Sequence, residues 1–223
     1  MLPDDLGPIE VRVVGSLIEK ELSTPDYYPL SLNALTNACN QSSNRDPVMS
    51  LDEEAVRQAI DALRRRGLVR SIQGIGSRVP KYQHLLAESA DLTRAELAVL
   101  GTLALRGPQT LGEVKARATR LMEGEGEGEG EGGDATSLEA ALEALTTRDP
   151  PVVTRLARRP GQKEARFAHR LSGDVTVSGD EEHGDPPPQS GDRIAVLEDA
   201  VQQLRDDVAD LRGQLAAFRK QFE

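Results

Sequence analysis

The chain has 223 residues, of which 38% are hydrophobic and 3% aromatic, and its formal net charge at neutral pH is −10. This length allows one or two domains with small cores. The composition excludes several classes: no apolar run approaches the roughly 18 residues of a membrane span, and the single cysteine excludes an intrachain disulfide or a cysteine-cluster metal site. The acidic N-terminal segment lacks the apolar stretch of a signal peptide. We therefore expect a cytoplasmic protein that does not contact membranes.

The acidic residues are concentrated in two segments. Residues 123–134 read EGEGEGEGEGGD and residues 172–192 read SGDVTVSGDEEHGDPPPQSGD; each segment holds six acids and no Lys or Arg. Neither shows apolar periodicity, which predicts a disordered loop and a disordered linker. Without these twelve acids, 25 remain against 27 Lys and Arg residues. The parts expected to fold are thus slightly basic.

The first 88 residues contain five predicted elements. Apolar residues at helical spacing predict a helix over 9–22, which the prolines of STPDYYPLS end. A second helix follows Ser31, its predicted N-cap. A third runs over 50–67, from the capping-box sequence SLDE to RRRG, where cations and then glycine are typical of a helix end. The strand-like runs LVRSI (68–72) and RVPKYQHLL (78–86) complete the unit.

The same order of elements recurs further along the chain. EVRVVGSL (10–17) aligns with ELAVLGTL (96–103) at an offset of 86, and KYQH (81–84) aligns with RFAH (166–169) at an offset of 85. The apolar positions of the third helix also recur, 82 residues later. Two copies of one unit of about 80 residues are implied. In the second copy the pairs Thr93/Glu96, Thr110/Glu113 and Thr136/Glu139 are candidate capping boxes.

Three helices followed by a β-hairpin are typical of a winged helix. We therefore predict a mainly α fold with small β wings, made of two tandem winged-helix domains and a C-terminal coiled-coil helix. The predicted boundaries are 1–88 for the first domain, 89–171 for the second with the disordered loop 123–134 inside it, 172–192 for the acidic linker and 193–223 for the coiled coil.

Residues 19–56, EKELSTPDYYPLSLNALTNACNQSSNRDPVMSLDEEAV, resemble the signature of the YceH-like proteins, an uncharacterised bacterial family. The match is dense over 9–74 and looser through residue 171, and the Gly-Glu insertion departs from the family pattern. The resemblance implies the tandem winged-helix fold. Since the function of that family is not established, the resemblance implies no particular chemistry.

The tail carries a heptad repeat. Apolar residues step by three and four over four heptads, with Ile, Val or Leu at a and Leu at most d positions, which favours a parallel two-stranded coiled coil. We therefore expect a homodimer; the alternative is that this helix folds back on its own domains. The predicted dimerisation residues are Ile194, Leu197, Val201, Leu204, Val208, Leu211, Leu215 and Phe218.

Signals of catalysis are missing from the sequence. His84, His169 and His183 show no metal-ligand spacing with one another or with Cys39. His84 and His169 occupy equivalent strand positions, which favours packing or hydrogen bonding, and Cys39 is expected to be a small buried hydrophobic residue. The Gly-Glu repeat follows no strand and would repel a phosphate. We expect a non-enzymatic binding protein without a cofactor or metal.

Double-stranded DNA is the first expected partner. In a winged helix the third helix enters the major groove and the wing contacts the backbone. Asn33, Asn37, Asn40 and Asn44 form a stripe at helical spacing; the first two are predicted contact residues, the last two turn or cap residues. Amides and arginines there suit phosphates and base edges. The predicted nucleic-acid-binding residues are Asn33, Asn37, Asn44, Arg45, Arg57, Arg64, Arg78, Lys81, Arg155, Arg158, Arg159 and Lys163.

The alternative is a protein–protein interaction scaffold that does not bind DNA directly. The third helix opens with Asp52, Glu53 and Glu54, and these carboxylates would repel phosphates at the end that enters the groove. Tandem winged helices also serve as scaffolds in chromosome and transcription assemblies, because a fold does not fix a function. The two hypotheses remain open at the level of the sequence.

Overall fold

A computed structural model of the chain describes residues 2–73, 79–123, 135–158 and 164–173. The chain divides into two units, residues 1–177 and 178–223, and every described residue belongs to the first. This unit is mainly helical, with two antiparallel sheets of three strands each. The heptads of the tail, and the Gly-Glu loop beyond Glu123, lie outside the described residues.

The described elements follow the repeat. The first half consists of α1 (Pro8–Ser23), a short 3-10 helix (Pro25–Tyr27), β1 (Leu30–Ser31), α2 (Leu32–Cys39), α3 (Glu53–Arg65), β2 (Val69–Ile72) and β3 (Lys81–His84). The second half consists of α4 (Leu86–Ala90), α5 (Arg94–Arg106), β4 (Gln109–Thr110), α6 (Leu111–Glu123), α7 (Ala135–Thr147), β5 (Val153–Arg155) and β6 (Arg166–His169).

Local sequence explains most of the helix ends. The Ser31 hydroxyl accepts a hydrogen bond from the Ala34 amide at 3.3 Å, which confirms Ser31 as the N-cap of α2. The predicted start of α3 is wrong by two residues, because Asp52 and not Ser50 is its N-cap. Asp52 accepts from the Ala55 amide at 2.7 Å. After α3, Gly67 adopts a φ of +71°, which suits glycine.

The two sheets have the same topology. Their strand orders are β1-β3-β2 and β4-β6-β5, and Val69 pairs with His84 as Val153 pairs with His169. The predicted hairpins are therefore present in both halves. Each sheet also contains a third, two-residue strand that the sequence analysis did not predict, since two residues are too few for an alternating pattern.

Helices α1 and α5 hold the two halves together by crossing at equivalent glycines. A Cβ on Gly101 would lie 2.7 Å from Cγ2 of Ile18, and a Cβ on Gly15 would lie 3.0 Å from Cδ2 of Leu105. Each helix thus approaches the other where its own side chain is missing. The buried apolar side chains of both halves form one continuous core around this crossing. None of the described helices is long and apolar enough to cross a membrane.

Candidate nucleic-acid interface

The four asparagines divide into two pairs: Asn33 and Asn37 lie in α2, whereas Asn40 is its C-cap and Asn44 lies in the loop that follows. Asn33 and Asn37 are exposed, and Nδ2 of Asn37 donates to Oδ1 of Asn33 at 3.3 Å. Nδ2 of Asn33 in turn donates to Oε1 of Glu53 at 3.4 Å, across to the first turn of α3. These two amides are available to a partner, but a carboxylate lies beside them.

The other two asparagines shape the loop between α2 and α3. Asn40 forms two hydrogen bonds of 2.7 Å with the backbone of Leu51, one donated from Nδ2 to the carbonyl and one accepted at Oδ1 from the amide. Asn44 has a φ of +58°, in the left-handed region that Asn tolerates. Both therefore have the predicted turn or cap role. For Asn44, which is exposed, a contact with nucleic acid stays a prediction.

Arg45 is not part of the candidate surface. Its side chain is fully buried and forms a bidentate ion pair with Glu19, with Nη1–Oε1 and Nη2–Oε2 distances of 3.0 and 2.5 Å. Its Nε and Nη2 also donate to the Ala38 carbonyl, at 3.1 and 2.7 Å. The prediction that Arg45 contacts nucleic acid is wrong, because no part of its side chain reaches solvent.

The arginines of α3 are largely engaged by carboxylates on the same helix. Arg57 pairs with Glu54 at 2.6 Å and Arg64 pairs with Asp61 at 3.3 Å, and both arginines are about half exposed. The first turn exposes Asp52, Glu53 and Glu54. Arg65, at the other end of α3, is exposed, and its side chain has no hydrogen bond or ion pair within the described residues.

The corresponding helix of the second half, α7, presents no positive charge. Its sequence, ATSLEAALEALTT, contains no Lys or Arg, and its buried face consists of Leu138, Ala141, Leu142 and Leu145. Its exposed residues include Glu139 and Glu143. Neither α3 nor α7 therefore offers the electropositive surface that a helix in the major groove usually brings to DNA.

The cations of the hairpins are placed differently. Lys81 begins β3, Arg155 ends β5 and Arg158 follows β5, so all three lie on the loop side of their hairpins. All three are exposed, and none of their side chains makes a hydrogen bond or ion pair with any residue in the described part of the chain. Three further predicted wing cations, Arg78, Arg159 and Lys163, lie outside the described residues.

The histidines differ in their surroundings despite their equivalent positions. His84 is buried: its Nδ1 accepts from the Leu86 amide at 3.3 Å, and its Nε2 lies against the Glu21 carboxylate. His169 has a buried Nδ1 without a described partner, and burial lowers the pKa of His169 to about 4. The predicted packing or hydrogen-bonding role is consistent with both environments.

Cys39 is fully buried, as predicted, and burial raises the pKa of its thiol. A buried thiol with a raised pKa is a poor nucleophile. Among the residues that the structure describes, no group of three or more His, Cys, Asp or Glu side chains could hold a metal ion.

A group of cations that the sequence analysis did not single out lines a cleft of about 420 Å³ between the two halves. Lys20 of α1 and Arg106 of α5 face it together with Arg117 and Arg120 of α6. The repeat contained a usable signal, because Lys20 and Arg106 are equivalent at the same offset of 86 residues as the glycines of the helix crossing. Only the packing of α1 against α5 shows that both side chains meet in one cleft.

Comparison of the sequence with known families identifies the family to which the chain belongs. Residues 6–162 match the family model described as "Protein of unknown function, DUF480". The chain belongs to the DUF480 family. This confirms the resemblance to an uncharacterised bacterial family that the segment 19–56 indicated.

The DUF480 chain is also similar along most of its length to curated proteins named "UPF0502 protein". It is 50% identical to the protein of Pelobacter propionicus, with 98% of each chain covered. It is 48% identical to the protein of Geobacter sulfurreducens, again over 98% of each chain, and 44% identical to that of Pectobacterium carotovorum, over 93% of this chain and 95% of the relative. The similarity thus extends past residue 162 into the region of the predicted coiled coil.

Proposed function

We propose that this DUF480 protein is a non-enzymatic, cytoplasmic DNA-binding protein built from two winged-helix units. Each half follows the order helix, short strand, helix, helix and hairpin, and the two sheets share one topology, which supports the winged-helix assignment. The proposed contact is with the phosphates of double-stranded DNA at the hairpin wings. The proposal assigns no base contacts to α3 or α7.

The observation that carries this proposal is the contrast between paired and unpaired cations. Lys81, Arg155 and Arg158 are exposed and free of described partners, whereas Arg57 and Arg64 of α3 already contact carboxylates. Sequence-independent affinity for DNA comes mainly from Lys and Arg that neutralise phosphates and release counterions. A cation that already pairs with a carboxylate gains less from a phosphate, because the first contact must be given up.

The test is the salt dependence of binding to a fluorescently labelled duplex of arbitrary sequence. Each phosphate contact contributes about 0.9 to the slope of log affinity against log salt concentration. Replacing Lys81, Arg155 and Arg158 by Ala should flatten this slope by roughly 2 to 3 units and weaken binding to every sequence alike.

The matched control is the double variant Arg57→Ala and Arg64→Ala, which removes exposed but paired cations. It should leave the slope almost unchanged. Absence of wild-type binding even at about 50 mM salt would overturn the proposal, and so would an equal loss in the control variant.

The second candidate function is a protein-interaction scaffold, which the charges of the helices favour. The first turn of α3 exposes three carboxylates. Helix α7 has no Lys or Arg of its own and exposes Glu139, which pairs with Lys115 of α6 at 3.0 Å, and Glu143. If DNA binding fails, a photo-crosslinking residue at Ala140, on the exposed face of α7, should capture a partner that the same residue at the exposed Tyr27, in the short 3-10 helix, does not. The captured protein must then bind the purified chain, and Glu143→Lys must weaken that binding.

We propose further that the chain is a homodimer through the heptads of residues 194–218. This rests on the sequence alone, since the segment lies outside the described residues. Replacing Val201 and Val208 by Asp would bury unpaired charge at two a positions and should give monomers. Light scattering measures the mass in solution, and a wild-type monomer would contradict the proposal.

A further inference from the structure

The cleft between the halves collects more unpaired positive charge than the fold requires. Its walls come from α1, the loop after α2, α5 and α6, and its volume is about 420 Å³. Lys20, Arg106 and Arg120 line it, and none of their three side chains forms a hydrogen bond or ion pair with a described residue. Arg117 also lines it, but contacts the Gln109 side-chain oxygen and lies 3.7 Å from the Glu113 carboxylate.

No described acid forms an ion pair with Lys20, Arg106 or Arg120. Glu19 is in the wall, but both of its carboxylate oxygens are engaged by the buried Arg45. Glu113 lies beside Arg117, and its pKa is lowered chiefly by the hydrogen bond from the Thr110 amide. Most of the positive charge at the wall therefore has no carboxylate of its own.

Arg106 is the least satisfied of these cations. Its Nε is buried and has no hydrogen-bond partner among the described residues. Burial and then the neighbouring Arg117 lower the pKa of Arg106, while Asp46 and Glu113 act in the opposite direction. A buried donor without an acceptor is costly, and such groups often indicate an ion or water that completes the site.

We propose that this cleft binds a small anion that carries at least one phosphate group. Arginine donors in a fixed fork match phosphate oxygens, and Arg106 and Arg120 lie on different helices, so one phosphate could be held from two sides. Ser23, Ser43 and Asn44 line the same cleft and supply neutral hydrogen-bonding groups. The volume falls within the range of small-molecule sites, which is larger than inorganic phosphate needs.

Binding of an anion at this site should also stabilise the packing of the two halves. Lys20 and Arg106 stand at equivalent positions of α1 and α5, next to the glycine crossing, so a bound anion would hold the two helices together. A ligand that binds only the folded protein raises its melting temperature by mass action. Binding can therefore be measured both by heat and by thermal stability.

The experiment is calorimetric titration of the full chain at constant ionic strength with three probes: inorganic phosphate, pyrophosphate and a nucleoside diphosphate. At least one probe should bind saturably with one site per chain. Arg120→Gln and Lys20→Gln should each weaken that binding roughly tenfold, the size expected for losing one charge-assisted contact. Arg106→Gln should abolish it, and circular dichroism would show whether this variant still folds.

The matched control is Arg65→Gln, which removes one exposed, unpaired cation far along the chain from the cleft-lining residues. Its affinity should equal that of the wild type. Equal affinity for pyrophosphate and the nucleoside diphosphate would show that the cleft recognises only the phosphates. Tighter binding of the nucleoside diphosphate would show that the cleft also contacts the organic part of the ligand. Absence of binding at about 1 mM of every probe, or an equal loss in Arg65→Gln, would overturn the inference.

Discussion

The two halves share a topology but differ in what fills equivalent positions. Arg12 and Glu19 of α1 correspond to Ala98 and Leu105 of α5 at the common offset of 86. In the first half, Arg12 donates to the carbonyls of Cys39 and Pro47 at 3.0 and 2.5 Å. In the second half the equivalent positions are apolar and buried. One backbone arrangement thus accommodates either a buried polar network or an apolar core.

The polar network has a local purpose in the first half. Arg12, on α1, donates to the carbonyls of Cys39 and Pro47. Arg45, which pairs with Glu19 of α1, donates to the Ala38 carbonyl. These carbonyls lie at the end of α2 and in the loop before α3. The Asp46 amide also donates to the Leu105 carbonyl at 2.9 Å, which links this loop to α5. The comparison indicates that the ionic groups fix a loop and that the helices themselves do not need them.

The largest expected effect comes from breaking the buried ion pair. Arg45→Met leaves the Glu19 carboxylate buried without its partner and should lower the free energy of unfolding by about 3–5 kcal/mol. Urea denaturation measures this change. Arg64→Met, which removes an exposed pair of the same type, should cost less than about 1 kcal/mol.

Replacing the Glu19–Arg45 ion pair by apolar residues, as in the second half, tests whether stability requires the pair. The double variant Glu19→Leu and Arg45→Met places at residue 19 the leucine found at Leu105. It should recover much of the loss, because no unpaired buried charge remains. A double variant as unstable as Arg45→Met alone would mean that the hydrogen bonds from Arg45 to the Ala38 carbonyl carry the stability.

His169 should show the next largest effect, as a dependence of stability on pH. The pKa of His169 is lowered by burial to about 4 in the folded protein, from 6.5 in an accessible histidine. Below 6.5 the unfolded chain binds a proton that the folded chain excludes, so stability falls as the pH drops from about 6.5 towards 4. The slope from this one group approaches about 1.4 kcal/mol per pH unit.

The variant His169→Gln isolates that contribution. Carboxylates also titrate in this range, but they do so in both proteins, so the difference between the two stability curves reports residue 169. The two histidines have different neighbours: His84 faces Glu21, whereas the position equivalent to Glu21 in the second half is Gly107. Parallel curves for wild type and His169→Gln would show that the histidine is not excluded from protonation in the fold.

The glycine crossing should give the third effect. In Gly101→Ala the new methyl would lie 2.7 Å from Cγ2 of Ile18, on a β-branched side chain that cannot turn away freely. Overpacking of this kind costs about 1–3 kcal/mol, which exceeds the gain in helix propensity. Gly15→Ala meets the more adaptable Leu105 at 3.0 Å and should cost less.

The control for the glycines is Gly112→Ala in α6, where a Cβ would meet nothing within 4 Å. It should stabilise the protein by up to about 1 kcal/mol, because alanine is the better helix former. Thermal unfolding of the three variants ranks them. If Gly101→Ala were as stable as Gly112→Ala, the close approach of α1 and α5 would not be required.

Much of the fold could be predicted from the sequence because the signals were local and repeated. The apolar face of α3, with Val56, Ile60 and Leu63, is buried as its spacing indicated. Both hydrogen bonds of the capping box form in Thr93/Glu96 and in Thr110/Glu113: the Thr hydroxyl accepts from the Glu amide, and the Glu carboxylate accepts from the Thr amide. In each case the residues that decide the structure lie within one or two turns of one another, so periodicity and capping rules are sufficient.

The candidate site was less predictable because its properties depend on distant partners. Arg45 carries no local sign of burial, and its ion pair joins it to Glu19, 26 residues away. The start of α3 depends on the contact between Asn40 and Leu51, which fixes the chain just before Asp52. The cation cleft depends on the packing of α1, α5 and α6, which no single segment of the sequence encodes.

The smallest expected effect concerns the N-caps of the two crossing helices. Thr93 caps α5 and exchanges hydrogen bonds with Glu96: its Oγ1 accepts from the Glu96 amide at 3.2 Å, and its amide donates to the Glu96 carboxylate at 2.8 Å. At the equivalent position, α1 begins after Gly7, whose amide donates to Glu10 at 2.7 Å, but which has no side chain to accept in return.

Gly7→Thr would transfer the missing half of this capping box to α1. The φ of −69° at Gly7 suits any residue, and a Cβ there would lie 3.5 Å from the Glu10 carboxylate, an ordinary contact. The new hydroxyl should accept from the Glu10 amide and stabilise the protein by about 0.5 kcal/mol, because glycine is already a tolerable N-cap and the gain is only the added hydrogen bond and the reduced freedom of the unfolded chain. The reverse change, Thr93→Gly, should destabilise by a similar amount. If Gly7→Thr destabilised the protein while Thr93→Gly did so as well, the two helix starts would not be equivalent, and the symmetry of the repeat would end before the first turn of α1.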